Sequence, residues 1–150
     1  MNRPDEAKIL FEGGCNCCQA VFCAFLNETN MTKEDALRLS AGFGGGFGRL
    51  REVCGAVSGM TMVLSNAFAS SDPNNKEAKA ELYKLIQKAA GDFKEENGSI
   101  ICRELLGLEE KNSSPVPEER TKEYYKKRPC SELVRCAAEI AEKYLNQSEK

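Results

Sequence analysis

The apolar residues of this chain recur at the spacing of α-helices, and convincing strand alternation is missing throughout. The clearest case is the C-terminal segment, where the pattern predicts a helix over 131–145. A chain of 150 residues has the length of one domain. We therefore expect residues 1–150 to form one all-α domain, a bundle of about five to seven helices around a small-residue central helix. The predicted buried stripe of the last helix is Leu133, Val134, Ala137, Ile140, Ala141 and Tyr144.

Capping residues and glycines set the ends of the other predicted helices. Asn16 is expected to cap one helix, and Thr32 with Asp35 another. The segment 1–13 is expected to be a polar lead-in with no more than one helical turn. The predicted helices span 17–26, about 32–41, 50–69, a stretch that ends near 97, 100–106, 118–127 and 131–145.

The stretch 53–71 contains no charged residue and is long enough to raise the question of a membrane span. Its serine, threonine and asparagine side chains and its many small residues favour a buried central helix instead. Gly55 and Gly59 lie four residues apart in this stretch. This spacing predicts close packing against a neighbouring helix.

The chain has eight cysteines and no histidine. Its first ten residues are charged and lack the apolar region of a signal peptide, so a cytoplasmic protein is expected. In that compartment cysteines more often bind metals or take part in catalysis than form structural disulfides. The lack of histidine excludes histidine-ligated haem, Ser-His-Asp catalysis and Cys₂His₂ zinc sites. A net charge of −2 argues against nucleic-acid and membrane-surface partners.

Four cysteines fall at or near the predicted starts of separate helices. A helix N-terminus offers unpaired N–H groups and the positive end of the helix dipole, which favour thiolate over thiol, as does a nearby cation. Four thiolates from different helices match the ligand count of an iron–sulfur cluster or of a Cys₄ zinc site. The alternative is four unrelated core cysteines. The candidate metal ligands are Cys17, Cys54, Cys102 and Cys130.

The other four cysteines carry weaker signals. Cys15 and Cys18 have the Cys-x-x-Cys spacing of dithiol redox motifs, but the βαβ pattern that usually surrounds this motif is not visible. Cys23 and Cys136 lie inside predicted helices, where the helix dipole no longer helps. We expect these two to be small buried hydrophobic residues.

The glycine run 42–48 cannot form a stable helix. It lacks the Lys-Ser/Thr of a phosphate-binding loop and does not fit the dinucleotide fingerprint. The backbone N–H groups of Gly44, Gly45 and Gly46 are candidates to approach a sulfur or an anion of a cofactor. The alternative is a helix connector that requires positive φ angles. The residues expected to anchor the run on the core are Phe43 and Phe47.

Five blocks of the sequence resemble a family of putative redox-active proteins named for a C-GCAxxG-C-C cysteine pattern. The third block reads Cys-Gly-Ala at 54–56, where the family name has Gly-Cys-Ala. The resemblance implies that the pattern cysteines are the four candidate ligands given above. The family is distantly similar to the non-haem part of split-Soret cytochromes c, and this chain has no Cys-x-x-Cys-His for a haem. The blocks are 14–21, 42–49, 52–59, 102–107 and 130–134.

Three functions are compatible with these residues. In the first, the four candidate cysteines bind an iron–sulfur cluster, and the protein exchanges electrons with a redox partner protein. In the second, two cysteines cycle through a disulfide without metal, while Arg49, Arg103 or Arg128 lowers the pKa of a thiol. In the third, a structural Cys₄ zinc stabilises a non-catalytic binding module.

Overall fold

The computed structural model describes residues 2–107, 114–122, 124 and 129–148. The predicted all-α fold is confirmed. A 3-10 turn, Leu26–Glu28, follows the second helix. The α-helices are α1 (Arg3–Glu12), α2 (Cys17–Ala24), α3 (Lys33–Ala41), α4 (Gly44–Phe47), α5 (Gly55–Phe68), α6 (Lys76–Asn97), α7 (Cys102–Leu105) and α8 (Cys130–Ser148).

The core forms where α1, α2, α5 and α8 pack against one another. The whole predicted stripe of α8 is buried, because its apolar residues keep the three- and four-residue spacing that faces one side of a helix. Phe11 of α1, Phe25 after α2 and Met60 of α5 are fully buried at the same centre. Burying side chains of this size contributes roughly 1.5–3 kcal/mol each.

The first helix, α1, is longer than the single turn expected for 1–13. The side chain of Asn2 accepts a hydrogen bond from the N–H of Asp5 at 2.9 Å and caps the helix. Pro4 lies in the first turn, where its missing N–H costs nothing. Ala7 and Phe11 are buried four residues apart. Two buried positions are too few for a visible sequence period, which is why the prediction was wrong.

The central helix α5 begins at Gly55, five residues later than predicted. A Cβ atom on Gly59 would lie 2.8 Å from the carbonyl oxygen of Cys18, and one on Gly55 would lie 3.1 Å from Cβ of Cys17. The predicted close packing is therefore confirmed, and the partner helix is α2. Among the described helices, none combines the length and the apolar character needed to cross a bilayer.

The end of α6, the start of α7 and the segment 118–127 agree only in part with the prediction. Helix α6 ends at Asn97 as predicted, and Gly98 follows with a φ of 89°. Residues 100 and 101 are not helical, and α7 begins only at Cys102. Of the predicted helix 118–127, residues 118–121 are not helical, whereas residues 122 and 124 are. Residues 123 and 125–128 lie outside the described part.

Candidate metal centre

The four candidate cysteines line one cavity of about 260 Å³. Three of them are the first residues of α2, α7 and α8, and the fourth, Cys54, is the N-cap of α5. Cys17 and Cys130 are near neighbours in this cavity, since Cys130 is the largest cause of the raised pKa of Cys17. The structure thus brings together cysteines that lie up to 113 positions apart in the sequence, counted from 17 to 130. The alternative left open by the sequence, four unrelated core cysteines, does not require them to share a cavity.

Asn16 fixes the start of α2 beside the glycine run. Its side chain accepts a hydrogen bond from the N–H of Gln19 at 2.9 Å, and the Gln19 side chain accepts one from the N–H of Asn16 at 2.9 Å. Asn16 is therefore the N-cap of α2, as predicted, and the two reciprocal hydrogen bonds form a capping box. The Asn16 Nδ2 also donates to the carbonyl of Ala41 at 2.8 Å. Cys17 is therefore held where α2 meets the end of α3.

Two backbone hydrogen bonds place Cys54 beside Cys102. The N–H of Cys54 donates to the carbonyl of Ile100 at 2.8 Å, and the N–H of Cys102 donates to the carbonyl of Glu52 at 2.6 Å. They flank a single antiparallel bridge between the two segments. Because α5 and α7 both begin at this bridge, the two thiols enter the cavity from neighbouring helix starts.

The glycines at 44–46 line the same cavity. Gly45 and Gly46 have φ angles of 68° and 71°, which glycine adopts without strain. A Cβ atom on Gly44 would lie 2.5 Å from the Asn16 side chain, and one on Gly46 would lie 2.6 Å from Cβ of Cys102. The run therefore connects two helices through positive φ angles, and it also lies close to the cysteines of the cavity. The turn at α4 has positive φ angles at Gly45, Gly46 and Phe47, so it is not a regular right-handed helix, and the prediction that the run forms no stable helix is confirmed.

Phe47 does not anchor the glycine run on the core, contrary to the prediction. Its side chain is 57% exposed, and its φ angle is 76°. This left-handed conformation follows two left-handed glycines and directs the ring toward solvent. Phe43 is half-buried, and its ring centroid lies 6.0 Å from that of Phe47 in an edge-on contact.

One buried arginine faces the thiols. Arg51 lines the cavity, is 4% exposed, and places Nη1 at 3.6 Å from Sγ of Cys102. Arg103, which was predicted to influence a thiol, forms an ion pair with Glu52 at 3.4 Å. The sequence could have pointed to Arg51, because it is a charged residue between the glycine run and the uncharged helix α5.

Another predicted cation, Arg49, contacts the side of the cavity to which residues 114–121 contribute. The Nε of Arg49 donates to the carbonyl of Ser114 at 2.6 Å, and the side chain also lines the cavity. Arg128 lies outside the described residues. The sequence therefore predicted cations near the thiols, but it did not identify Arg51 as an arginine that contacts a thiol.

The pKa values of two of the clustered thiols, Cys17 and Cys54, are raised, whereas helix starts were expected to lower them. The hydrogen bond with Cys130, followed by burial, raises the pKa of Cys17 well above its ordinary value, and the neighbouring thiols add to the effect. Burial raises the pKa of Cys54 to about 12, although the N–H groups of Ala56 and Val57 act in the opposite direction. The helix-start effect is thus present but smaller than the cost of burying several negative charges together. A bound cation reverses this balance because it compensates those charges.

The other cysteines do not join this group. Burial raises the pKa of Cys18 to about 12 and that of Cys23 to about 11. Cys23 is buried as expected, whereas Cys136 is half-buried and donates to the carboxylate of Glu96 at 2.9 Å. All eight cysteines are free thiols, so Cys15 and Cys18 do not form a disulfide in this state.

Residues 114–121, which we call the strap, contribute one wall of the cavity through Pro115, Pro117 and Glu118. Arg120 holds the strap in place. Its Nη1 donates to the carbonyl of Phe11 at 2.8 Å, and its Nη2 donates to that of Cys15 at 2.9 Å. The guanidinium also lies 4.4 Å from the centroid of the Phe11 ring. Sequence reasoning missed this wall, because a proline-rich loop carries no sign of where it packs.

The residues around the cavity fit an anionic metal centre. Thiolates are the ligands that zinc and iron–sulfur clusters select, and a buried guanidinium beside them stabilises negative charge. Within the described ranges, no three cysteine or carboxylate side chains are placed as the ligands of one metal ion. The four cysteines line one cavity together with the glycines of the run.

Among the comparisons with known proteins, one gives a match, to the model of a protein family. Neither the curated proteins nor the solved structures contain a match to the chain. A family model described as "Putative redox-active protein (C_GCAxxG_C_C)" matches residues 15–144, which include all four cysteines of the cavity. The match covers most of the chain, and the protein therefore belongs to this family of putative redox-active proteins.

Proposed function

We propose that the protein is an electron-transfer protein whose four cavity cysteines bind an iron–sulfur cluster. The observation that carries the proposal is the meeting of Cys17, Cys54, Cys102 and Cys130 around one cavity. Cysteine thiolates are the usual ligands of such clusters. The redox description of the family supports the same chemistry.

The cavity has room for a cluster. It measures about 260 Å³, and the glycine run and the strap line it together with the four cysteines. Four sulfurs around a single zinc ion, at a Zn–S distance of about 2.3 Å, lie about 3.8 Å from one another. The metal and sulfide content of the purified protein therefore decides between the two centres.

The glycine run offers a way to tune such a centre. Gly44, Gly45 and Gly46 line the cavity without side chains that would keep a ligand away. We propose that their N–H groups approach the sulfur atoms of the bound centre. Hydrogen bonds to sulfur shift the reduction potential of iron–sulfur clusters, and so does exclusion of solvent.

A thiol–disulfide function is the second candidate, and the contact between Cys17 and Cys130 favours it. Oxidation of these two thiols to a disulfide would release two electrons and two protons to an oxidant such as a second disulfide. Both functions require a redox partner protein, which we include in the proposal. Eight free thiols also suit a reducing compartment such as the cytoplasm.

Purification without oxygen, followed by measurement of iron, acid-labile sulfide, zinc and free thiols, separates the candidates. Iron and sulfide in equal amounts, with a visible absorbance that bleaches on reduction, is the result expected for a cluster. Zinc without sulfide would support a structural site and contradict electron transfer. Eight titratable thiols without any metal would contradict both metal sites and leave the disulfide function.

A matched pair of variants tests the ligand assignment. Cys54→Ser should remove most of the bound iron, because it replaces a thiolate ligand at the cavity. Cys23→Ser should keep it, because Cys23 is also buried but does not line the cavity. Circular dichroism shows whether each variant has kept its helices. Equal iron content in the two folded variants would contradict the assignment.

A further inference from the structure

We infer that Arg51 is a positioning residue that favours the reduced state of the proposed centre. The inference rests on the proposed function, since it concerns the same four cysteines. It goes further because it names the one side chain that we expect to raise the reduction potential of the site. Three features of Arg51 carry it: its burial, its fixed backbone and its contact with a sulfur.

Arg51 places a positive charge in the wall of the cavity. Its side chain is 4% exposed, so water screens this charge little. Burying a guanidinium is costly unless nearby negative charge compensates it. The pocket that it lines contains four thiols, which become negative when they bind metal. The charge of Arg51 therefore lies in the wall that an anionic occupant of the cavity would contact.

The backbone holds Arg51 in an unusual conformation. Its φ angle is 62°, in the left-handed region that residues other than glycine seldom adopt. The N–H of Arg51 donates to the carbonyl of Gly45 at 3.2 Å. Its carbonyl accepts hydrogen bonds from the backbone N–H and from Nη1 of Arg103, each at 3.3 Å. Strained residues of this kind persist where the surroundings fix them, and they cluster at functional sites.

The contact with Cys102 gives this position a chemical consequence. Nη1 of Arg51 lies 3.6 Å from Sγ of Cys102, which is hydrogen-bond distance for sulfur. When the occupied site gains one electron from a reductant such as dithionite, no bond in the protein forms or breaks. The site gains one negative charge, and the guanidinium beside the sulfur stabilises this charge. An N–H donor to a ligand sulfur and a nearby cation both raise the reduction potential.

Arg103 provides the contrast within the same segment. It is adjacent to Cys102 in sequence, but its Nη1 lies 3.4 Å from the carboxylate of Glu52. Its side chain is 31% exposed, so solvent and an opposite charge both weaken its field. Loss of Arg103 removes the same formal charge without removing a donor to sulfur.

The test compares Arg51→Gln and Arg103→Gln after anaerobic reconstitution with iron and sulfide. Metal and sulfide content is measured first, and the potential is then determined by titration with dithionite while the visible absorbance is followed. Arg51→Gln should retain the cluster and make reduction at least tenfold less favourable, a shift of about 59 mV to more negative potential for one electron. Arg103→Gln should shift the potential less.

An unchanged potential in cluster-loaded Arg51→Gln would overturn the inference, and so would an equal shift in Arg103→Gln. If Arg51→Gln does not fold, Arg51→Met serves as the test, because it keeps an apolar chain of similar length but removes the charge and the donors. Its potential should also be lower than that of the wild type, and an equal potential would overturn the inference. A wild-type protein that takes up no iron and sulfide fails at the first measurement, which refutes the proposed function and not only the role of Arg51.

Discussion

Gly46 lies so close to Cys102 that a Cβ atom on the glycine would be 2.6 Å from Cβ of the cysteine. The same atom would lie 2.8 Å from the backbone N of Glu52 and 2.9 Å from Cα of Arg51. Real Cβ atoms essentially never approach other atoms this closely. The contact joins the glycine run to the start of α7, and it sets the position of one candidate ligand.

Gly46→Ala should therefore destabilise the protein and impair the site. Overpacking typically costs about 1–3 kcal/mol, and a left-handed alanine adds roughly 1–2 kcal/mol. We expect the free energy of unfolding of the metal-free protein, measured by urea titration, to fall by about 2–5 kcal/mol. The iron content of the reconstituted protein should also fall, because Cys102 has to move.

Gly48→Ala is the matched control for this variant. Gly48 has a similar φ angle, 61°, but the nearest atom to its added Cβ is the carbonyl oxygen of Gly42 at 3.8 Å, an ordinary contact. The free energy of unfolding of Gly48→Ala should fall only by the cost of a left-handed alanine, roughly 1–2 kcal/mol, and its iron content should be unchanged. Equal losses of stability and of iron in the two variants would contradict the role assigned to the Gly46 contact.

Local signals made much of the fold predictable. The buried stripe of α8 follows from the helical period, and the caps at Asn16 and Thr32 follow from side chains that satisfy free N–H groups within three residues. The four cysteines were also identified locally, since each lies at a helix start. Local chemistry and family resemblance thus selected the four cysteines that line the cavity before any contact was known.

The remaining features depend on contacts between distant segments. Arg51 faces Cys102, 51 positions away, only because a backbone bridge brings the two segments together. Phe47 points to solvent because the preceding glycines adopt positive φ angles, which composition does not reveal. The raised pKa values of the thiols likewise arise from their burial as a group. No helix-start argument about a single cysteine includes that effect.

Arg120→Ala should open the strap and expose the cavity thiols. The variant loses two charge-assisted hydrogen bonds, to Phe11 and Cys15, each worth about 1.5–3 kcal/mol. A change of 1.4 kcal/mol is about tenfold in an equilibrium. We therefore expect the cavity cysteines of the metal-free protein to react with N-ethylmaleimide at least tenfold faster, as measured by mass spectrometry of labelled peptides.

Arg38→Ala is the control for strap opening, because it removes an equal charge from an exposed ion pair with Asp35 on α3. Its labelling rate should match that of the wild type, since exposed pairs contribute little. If Arg120→Ala also labels at the wild-type rate, the strap does not restrict access to the thiols.

Gly59→Ala and Gly91→Ala should change stability in opposite directions. A Cβ atom on Gly59 would lie 2.8 Å from the carbonyl of Cys18 and 2.9 Å from Cβ of Val21, so α2 and α5 would have to separate. We expect a loss of about 1–3 kcal/mol in the free energy of unfolding. Gly91 is exposed on α6 with nothing within 4 Å, and alanine there should add about 0.5–1 kcal/mol. Urea titration of both variants checks the signs, and a stabilised Gly59→Ala would contradict the close packing.

The contact between Asp92 and Tyr144 should make stability depend on pH. The Tyr144 hydroxyl donates to the Asp92 carboxylate, and Lys143 lies 3.3 Å from it. The hydrogen bond from Tyr144 lowers the pKa of Asp92 in the folded protein, and Lys143 adds to this. A carboxylate whose pKa is lower in the folded state stabilises the protein above its unfolded pKa of about 3.9. This contribution is lost as the pH falls through the lower folded value.

Asp92→Asn should therefore reduce the loss of stability on acidification. The amide cannot titrate, so the free energy of unfolding should fall less between pH 6 and pH 3 in the variant than in the wild type. Glu95→Gln is the control, because it removes an exposed carboxylate from the same helix. Urea titrations at each pH give the slope of the free energy of unfolding against pH for each variant and for the wild type. If Asp92→Asn keeps the wild-type slope while Glu95→Gln changes it, the acid sensitivity comes from other carboxylates and α6 is not tied to α8 by this ionised contact.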